Sequence, residues 1–433
     1  MSSDVPLPSI PDAEAPSRLD VGDLRSNGDP CFKCSTCDLA CPVVSVDDAF
    51  PGPKFQGPEQ WRLRSNDTPI DPSIDACTNC LRCHAVCPQD VSLAAMHNVA
   101  REERIAAGTL SRTAIRNRLL ANYGTLARLG SRFPRVTNWL ASNGFIRRIL
   151  ERFVGITAER EAPTFAEQTF REWWTERGGA QVSSEEKRVA YFHGDYANFH
   201  TPAVGNALVR LYESLGYEIT IPPQRCSGTP MFANGFLDDA ERVARFNVEH
   251  LSAAIERGYD VVATCPSCSL ALREEYPALF DFDGIETVAA RTFDAIEYLR
   301  ANDEFRGIDI DADRIPDALS YHAPCHAGVQ GVDGQSLSIF EEAGVDVTDL
   351  GDDCSGMGGT YGWKEERYDA SMAIGRDVFE ALEDAAGDRA ITECPTCAMQ
   401  MRHGTGHEVS HPIELLADAL RFGGSAEWTD PTE

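Results

Sequence analysis

Two cysteine-rich stretches near the N-terminus decide the fold of this chain: CFKCSTCDLACP (31–42) and CTNCLRCHAVCP (77–88). Each has the spacing C-x2-C-x2-C-x3-C-P, which is typical of a loop that holds a [4Fe–4S] cluster. Three cysteines at intervals of three wrap around one corner of a cubane, and the proline keeps the loop from continuing as a helix. The fourth cysteine of each run points to the other cluster. We therefore predict two [4Fe–4S] clusters in a helical, ferredoxin-like domain over residues 26–100.

The predicted ligand sets cross between the two stretches. The first cluster takes Cys31, Cys34, Cys37 and Cys87, and the second takes Cys77, Cys80, Cys83 and Cys41. Four-cysteine zinc sites are the structural alternative, but they use two C-x2-C pairs per ion rather than two identical runs closed by proline. No secretion signal precedes the fifteen cysteines, so metal binding is favoured over a disulfide framework.

The composition narrows the class of protein further. The formal net charge of −29 argues against nucleic acid as a partner, because a phosphate backbone would repel the chain. Lysine occurs at only four positions, and an acidic, lysine-poor surface suits a salt-rich cytoplasm. We interpret the chain as a halophile's cytoplasmic protein; an acidic protein from a GC-rich genome is the alternative. Residues 1–25 and 423–433 are predicted to be disordered.

An internal repeat fills the C-terminal half, over residues 188–315 and 316–422. Each copy starts with a predicted strand, 188–196 in the first and 318–325 in the second. A helix, a second strand, a Cys-Ser-Gly turn, a long helix and a third strand that leads into Cys-Pro-x-Cys follow. Strands that alternate with helices predict two α/β lobes with parallel sheets. The complete fold class is therefore multidomain α+β, and the cysteines of each lobe fall beyond the carboxyl ends of the strands.

The segment between the cysteine runs and the repeat, residues 101–187, is predicted to form basic amphipathic helices followed by a connection with an aromatic helix. Residues 104–153, the basic helical segment, carry ten arginines and one acidic residue. Such a surface suits an anionic membrane or an acidic partner subunit, and Arg147, Arg148 and Arg152 are the predicted contact residues. The alternative is a pair of helices packed on the cluster domain with solvated arginines.

A family resemblance runs through nearly the whole chain, from about residue 28 to residue 421. The motifs that carry it are FPGPKFQGPEQWRLR (50–64), CTNCLRCHAVCPQDV (77–91), PTFAEQTFREWW (163–174), FHGDYANFHTPAVG (192–205), CSGTPMFANG (226–235), YHAPCHAG (321–328), CSGMGGTYGWKEERY (354–368), ECPTCAMQM (393–401) and HPIELLA (411–417). On these motifs the chain resembles the C subunit of the anaerobic glycerol-3-phosphate dehydrogenases, and its composition adds a haloarchaeal origin as a prediction.

The resemblance implies an electron-transfer protein. A flavoprotein partner would oxidise glycerol 3-phosphate to dihydroxyacetone phosphate, and this chain would pass the electrons to a menaquinone-type acceptor at the cytoplasmic face of the membrane. The sequence has no G-x-G-x-x-G fingerprint, so no FAD is expected in this chain. Alternatives are an iron–sulfur subunit for lactate, glycolate or a heterodisulfide, a structural zinc protein, and a cluster-based sensor.

The repeats resemble the cysteine-rich CCG domains of that family and of heterodisulfide reductases, with departures. Ser227 and Ser355 replace the second cysteine of each pair, and Asp195 stands where the first repeat should have its lone cysteine. The predicted sites are Cys325, Cys354, Cys394 and Cys397 for a further cluster or zinc, and Cys226, Cys265, Cys268 and Asp195 for a weaker one. His322 and His326 flank Cys325 and are interpreted as satisfied buried residues, with a metal or quinone role as the alternative.

Overall fold

The computed structural model describes residues 31–64, 68–108, 111–305, 309–387 and 389–421. The predicted leader (1–25) and tail (423–433) lie outside the described residues. None of the described helices is long and apolar enough to cross a membrane.

The N-terminal part is helical, as predicted. Its helices are α1 (Thr36–Leu39), α2 (Gln60–Arg64), α3 (Arg82–Ala85) and α4 (Leu93–Ala107). A π-helical turn, Phe55–Glu59, precedes α2, and a 3-10 turn, Pro72–Ala76, precedes the second cysteine run. The short helices α1 and α3 lie inside the two cysteine runs and contact each other, so the two loops face one another.

Helices fill the basic helical segment. They are α5 (Arg112–Ala121), α6 (Tyr123–Gly130), α7 (Pro134–Ser142) and α8 (Gly144–Val154), and the aromatic helix of the connection follows as α9 (Phe170–Glu176). The fifteen residues between α8 and α9 (155–169) carry no helix, so the aromatic helix begins later than its sequence pattern predicts.

The first lobe contains a parallel four-stranded sheet in the order β2-β1-β3-β4. Its strands are β1 (Arg188–Phe192), β2 (Glu218–Thr220), β3 (Asp260–Ala263) and β4 (Thr292–Asp294). Its helices are α10 (Gly194–Phe199), α11 (Pro202–Ser214), α12 (Thr229–Phe232), α13 (Leu237–Ile255), α14 (Pro266–Leu270), α15 (Tyr276–Leu279), α16 (Ile285–Ala290) and α17 (Ala295–Ala301). The first predicted strand, 188–196, ends at Phe192, and Asp195 lies in α10 instead.

The second lobe repeats this topology after a short strand, β5 (Asp309–Ile310). Its parallel sheet has the order β7-β6-β8-β9, the same order of equivalent strands as in the first lobe. The strands are β6 (Ala318–Tyr321), β7 (Asp346–Asp349), β8 (Arg389–Ile391) and β9 (Glu408–Ser410). The helices are α18 (Cys325–Val329), α19 (Gln335–Glu342), α20 (Tyr368–Ile374), α21 (Arg376–Asp384), α22 (Pro395–Thr405) and α23 (Pro412–Ala419).

One apolar core joins the two lobes. Helix α11 of the first lobe packs on α23 of the second, and buried residues of both sheets belong to the same hydrophobic cluster. The terminal strand β10 (Leu420–Arg421) pairs antiparallel with β5 and closes the second lobe. Residues that follow β1, β3 and β8 line one cavity between the lobes. Cys265 follows β3 and Cys394 follows β8, beyond the carboxyl ends of the strands.

The basic helical segment packs on the lobes. Helix α5 contacts α12, α6 contacts α10, and the residues after α8 form a β-bridge between Ile156 and Lys364 of the second lobe. The segment also contacts the cluster domain, through the ion pair of Arg104 with Asp75 and a buried cluster that contains Ala121 and Ala95.

Candidate metal centres

The two cysteine runs share an unusual backbone conformation. Lys33 and Ser35 flank Cys34 with φ of 59° and 67°, and Asn79 and Leu81 flank Cys80 with φ of 60° and 62°. Non-glycine residues rarely adopt this left-handed region, and such strain persists where the surroundings require it. Alternating backbone conformations of this kind turn successive N–H groups toward one point, which creates a concave site for an anion. An anionic iron–sulfur cluster is such a group.

The first predicted ligand set lies around one cavity. Its walls include Cys31, Cys34, Cys37 and Cys87. A hydrogen bond from the hydroxyl of Thr36 is the main cause that lowers the pKa of Cys34, which favours the thiolate that binds metal. Burial raises the pKa of Cys37 to about 11, so a positive metal is needed to ionise it.

The spacer between the runs is folded around the first loop. Gly52 has φ of 95°, and a Cβ atom there would lie 2.5 Å from Oδ1 of Asp38. That oxygen accepts a 3.0 Å hydrogen bond from the backbone N–H of Lys54, whose ammonium lies 3.3 Å from Oδ2 of the same carboxylate. The Pro-Gly-Pro-Lys sequence of the spacer thereby fixes the helix that carries Cys37.

The second predicted set is held by helix α4. Cys41, Cys77, Cys80 and Cys83 lie close enough to influence one another's ionisation. Burial opposes ionisation of Cys77, but the charge of Arg101 and a hydrogen bond from His97 outweigh it and lower the pKa of this thiol to about 6. The other ring nitrogen of His97 lies 3.1 Å from the carbonyl oxygen of Pro53, in the spacer. The sequence analysis missed both His97 and Arg101; their four-residue spacing on the helix after the second run was the available signal.

The second lobe gathers all four of its predicted thiols. Cys325, Cys354, Cys394 and Cys397 line one cavity, which we call the second-lobe cavity. Cys325 begins α18, and Cys394 caps α22 with proline at the first helical position, so backbone N–H groups at both helix starts face the thiols.

Hydrogen bonds favour thiolates at two of these positions. The Cys325 thiol donates to Cys354 and lowers the pKa of Cys354, and the N–H of Gly356 lies 3.4 Å from the same sulfur. Hydrogen bonds from Cys397 and Thr396 lower the pKa of Cys394 to about 6, with Sγ and Oγ1 3.2 Å apart. Each thiolate is paired with a protonated neighbour, an arrangement ready to receive a metal group.

Arg160 supports the turn that carries Cys354. Its guanidinium is buried and donates to the carbonyl oxygen of Gly362 at 2.7 Å, to the hydroxyl of Ser371 at 2.8 Å, and to the amide oxygen of Gln400. The Ser371 hydroxyl in turn donates to the carbonyl oxygen of Gly356 at 2.7 Å. A residue of the connection, far from the lobe in sequence, therefore positions the Cys-Ser-Gly turn.

The first lobe brings Asp195 to its three cysteines. The carboxyl group is hydrogen-bonded to Cys226, and Cys226 in turn lies near Cys265 and Cys268. Burial raises the pKa of Asp195 to about 6, and its buried Oδ2 has no hydrogen-bond partner among the described residues. Helix α6 covers the site so closely that a Cβ atom on Gly124 would overlap this oxygen. The structure thus places the carboxyl group beside Cys226, and the ligand role stays a prediction.

The two histidines beside Cys325 are satisfied buried residues. His322 lies with Nε2 3.0 Å from the carbonyl oxygen of Asp353. His326 lies with Nε2 3.1 Å from the carbonyl oxygen of Asn79 and Nδ1 2.9 Å from the hydroxyl of Ser267. These contacts agree with the interpretation favoured from the sequence.

The basic helical segment presents an apolar surface to solvent. Large exposed side chains there are Leu129 (66%), Phe133 (68%), Trp139 (61%), Phe145 (74%) and Phe153 (73%). Arg148 and Arg152 are exposed beside them, as a contact surface requires. Arg147 is not, because its guanidinium turns inward to the carbonyl oxygens of Ala158 and Arg160. Consecutive residues point about 100° apart on a helix, and here Arg147 turns inward while Arg148 turns to solvent.

The donor chemistry fits iron–sulfur clusters. Thiolates are the usual ligands of such clusters, and the predicted sets place four thiols around each of three positions. None of the fifteen cysteines, all in the described part of the chain, forms a disulfide. Within the described ranges, no three His, Cys, Asp or Glu side chains converge closely enough to hold a single metal ion.

Comparison with known proteins identifies the modules. A 4Fe-4S dicluster domain matches residues 27–91, and a cysteine-rich domain matches residues 189–273 and again 319–402. The B subunit of the fumarate reductase (CoM/CoB) of Methanothermobacter marburgensis is 25% identical over 89% of this chain and 70% of its own. Lactate utilization protein A of Exiguobacterium is 29% identical over 51% of this chain and 92% of its own.

A match of higher identity decides the family. The C subunit of the anaerobic glycerol-3-phosphate dehydrogenase of Escherichia coli K12 is 34% identical over 395 residues, which cover 90% of this chain and 98% of the relative. The family models place the ferredoxin-like domain and both cysteine-rich domains in the same order that the structure has them. The chain therefore belongs to the family formed by the C subunit of the anaerobic glycerol-3-phosphate dehydrogenases, a family of iron–sulfur proteins.

Proposed function

We propose that this chain is the electron-transfer subunit of an anaerobic glycerol-3-phosphate dehydrogenase. It takes electrons from a flavoprotein partner that oxidises glycerol 3-phosphate to dihydroxyacetone phosphate, and it delivers them to a menaquinone-type acceptor in the membrane. The observation that carries the proposal is the pair of cysteine loops with matched left-handed residues at Lys33/Ser35 and Asn79/Leu81. Two [4Fe–4S] clusters held there would carry one electron each.

The second lobe supports a third redox position. Its four thiols fit an ordinary cluster, and Cys80 of the second cysteine run lies in the wall of the same cavity. The two predicted positions are therefore neighbours, which suits electron transfer between them. The three thiols and Asp195 of the first lobe are the weaker site.

Two relatives favour a second candidate in the same reaction class. Lactate utilization protein A and the B subunit of the fumarate reductase (CoM/CoB) have similar sequences, so an iron–sulfur subunit for lactate, glycolate or a disulfide remains the alternative. The substrate then differs, and the role of the cysteine residues in this chain stays the same.

The experiment is an anaerobic purification of the complete complex in high salt, with iron, acid-labile sulfide and zinc counted. Glycerol 3-phosphate is added, and the clusters are followed by electron paramagnetic resonance (EPR). We expect cubane signals on addition of this substrate and iron beyond two cubanes. Iron that responds only to lactate or a disulfide couple would refute the proposed substrate. Zinc without sulfide would refute the electron-transfer role and favour a structural protein.

We further propose that the surface of α6–α8 binds the cytoplasmic face of the membrane. The five exposed apolar side chains lie among exposed arginines in a protein of net charge −29, so this surface is the part of the chain suited to anionic lipid. Membrane contact here would place the first lobe, which α6 covers, next to the lipid.

Vesicle sedimentation tests this surface. Arg148→Glu combined with Arg152→Glu should weaken binding to vesicles with phosphatidylglycerol at least about tenfold, since each basic residue at an anionic surface contributes about 1 kcal/mol. The control with equal charge change is Arg257→Glu with Arg376→Glu, at exposed positions outside these helices. Equal binding by the two double variants would contradict the proposal.

A further inference from the structure

Three separate parts of the chain meet at the second-lobe cavity. Its walls include Cys80 and Asn79 from the second cysteine run and Ser267 from the Cys-Pro-Ser-Cys loop of the first lobe, besides its own thiols. The run also approaches the second lobe's Cys-Ser-Gly segment closely, because a Cβ atom on Gly358 would lie 2.9 Å from Cβ of Thr78. The cavity is therefore a junction of the ferredoxin-like domain and both lobes.

One buried side chain hydrogen-bonds all of these parts together. His326 follows Cys325 directly, and it is 8% exposed. Its Nε2 is 3.1 Å from the carbonyl oxygen of Asn79, the residue before Cys80. Its Nδ1 is 2.9 Å from the hydroxyl of Ser267.

The partners of His326 fix its protonation pattern. A carbonyl oxygen only accepts, so Nε2 carries the hydrogen and donates to Asn79. In the neutral ring Nδ1 then accepts from the Ser267 hydroxyl. A single ring thus links the second cysteine run, helix α18 and the first lobe's cysteine loop.

Neighbouring contacts hold the same junction without replacing His326. Gln330 donates from α18's end to the carbonyl oxygen of Pro266 at 3.0 Å. Arg82 pairs with Asp352 and Asp353, just before Cys354, on the partly exposed side. The side chain of Asn79 is also held by Arg101 at 3.0 Å, whereas His326 contacts the backbone of Asn79 from the second lobe, directly before Cys80.

We infer that His326 is a positioning residue for electron transfer between the ferredoxin-like domain and the second lobe. It holds Cys80 against the second-lobe cavity, so that one electron passes from the reduced cluster of the Cys77/Cys80/Cys83/Cys41 set to an oxidised iron–sulfur centre held by the second-lobe thiols. No bond is made or broken in this step. The inference rests on the proposed redox role of both sites, and not on the identity of the substrate.

The test uses the complete complex, purified anaerobically, with iron and sulfide counted in each preparation. His326→Ala removes both hydrogen bonds, and His326→Gln keeps a side-chain N–H for the carbonyl oxygen of Asn79. His250→Ala is the matched control, since this ring bonds the carbonyl oxygen of Phe246 within its own helix. The centres are reduced stepwise with dithionite, and magnetic interaction between them is followed by EPR. A rapid-mixing experiment then measures reoxidation by a quinone analogue.

We expect His326→Ala to keep its iron, to lose or weaken the magnetic interaction, and to slow reoxidation about tenfold, because transfer is sensitive to ångström displacements. His326→Gln should restore most of both readouts. Unchanged interaction and rate in His326→Ala would overturn the inference, as would equal loss of iron in the Ala and Gln variants.

Two further outcomes separate this inference from the proposed function. Wild-type iron that is fully accounted for by two cubanes overturns the inference, since the second lobe then holds no acceptor, and it leaves the proposed function intact. In the second outcome, the magnetic interaction and the reoxidation rate of the dithionite-reduced complex depend on His326, but glycerol 3-phosphate reduces none of the centres. That outcome supports the inference and refutes the proposed substrate.

Discussion

Arg160 offers a sharp test of how the connection supports the second lobe. We predict that Arg160→Met destabilises the second lobe and loosens the turn that carries Cys354. The guanidinium is 2% exposed, burial lowers its pKa to about 10, and it therefore stays charged at neutral pH among neutral acceptors. The Tyr368 ring beneath it, 5.2 Å from the guanidinium carbon, adds a cation–π contact.

The expected loss follows from the acceptors left behind. Methionine fills part of the space, but the oxygens of Gly362 and Gln400 lose their buried donor, at about 1–3 kcal/mol each. Relief from burying a charge offsets part of this. We therefore expect the free energy of unfolding to fall by about 3 kcal/mol for Arg160→Met, and by less for Arg160→Lys, which keeps one donor group.

The assay is anaerobic urea unfolding at fixed high salt, followed by circular dichroism and tryptophan fluorescence. Arg135→Met is the control, because this arginine is 83% exposed in its ion pair with Glu167. We also expect Arg160→Met to lower iron in excess of two cubanes, because Ser371 no longer holds Gly356. An Arg160→Met midpoint equal to that of Arg135→Met would refute the reasoning.

Three further predictions concern pH, packing and salt. Burial raises the pKa of Asp294 to about 6, so its contribution to stability is complete below the ordinary value of 3.8 and is lost as the pH rises to about 6. The free energy of unfolding of the wild type should therefore fall relative to Asp294→Asn over that window, on the order of 2–3 kcal/mol; parallel curves from urea unfolding would contradict this. Gly205→Ala should lower the free energy of unfolding by about 1–3 kcal/mol, because its Cβ would lie 2.5 Å from the Phe170 ring, whereas Gly144→Ala meets nothing within 4 Å and should not. The net charge of −29 predicts a thermal midpoint that rises as KCl is raised from about 0.1 M to about 2 M, and a flat response would count against a halophilic origin.

The sequence was most informative where the signal is local. The cysteine runs, the Cys-Ser-Gly turns and the alternation of strands and helices each lie within a few dozen residues, and they correctly predicted the ferredoxin-like domain and two parallel lobes. Strand ends were less accurate: Asp195 was placed in a strand and lies in α10, because the strand pattern continues past the point where the chain turns to cover the site.

Long-range docking could not be predicted from one sequence. The hydrogen bond of His326 joins residues 247 positions apart, and that of Arg160 to Gln400 joins residues 240 apart. The hydrophobic periodicity of a sequence carries no information about which distant residues will be paired. The inward direction of Arg147 was missed for a different reason, since net charge counts arginines without regard to which face of the helix each one occupies.

Different segments of the chain border the thiols of the two lobes, although the lobes have the same topology. Sheets of identical strand order indicate one ancestral unit that was duplicated, yet helix α6 covers the thiols of one copy and the loop with Cys80 borders those of the other. Two copies of the same topology thus lie beside unequal neighbours, so equivalent loops of the two lobes have different surroundings. After its first strand, the copy that borders a second cysteine run has Cys325, whereas the copy beneath helix α6 has Asp195.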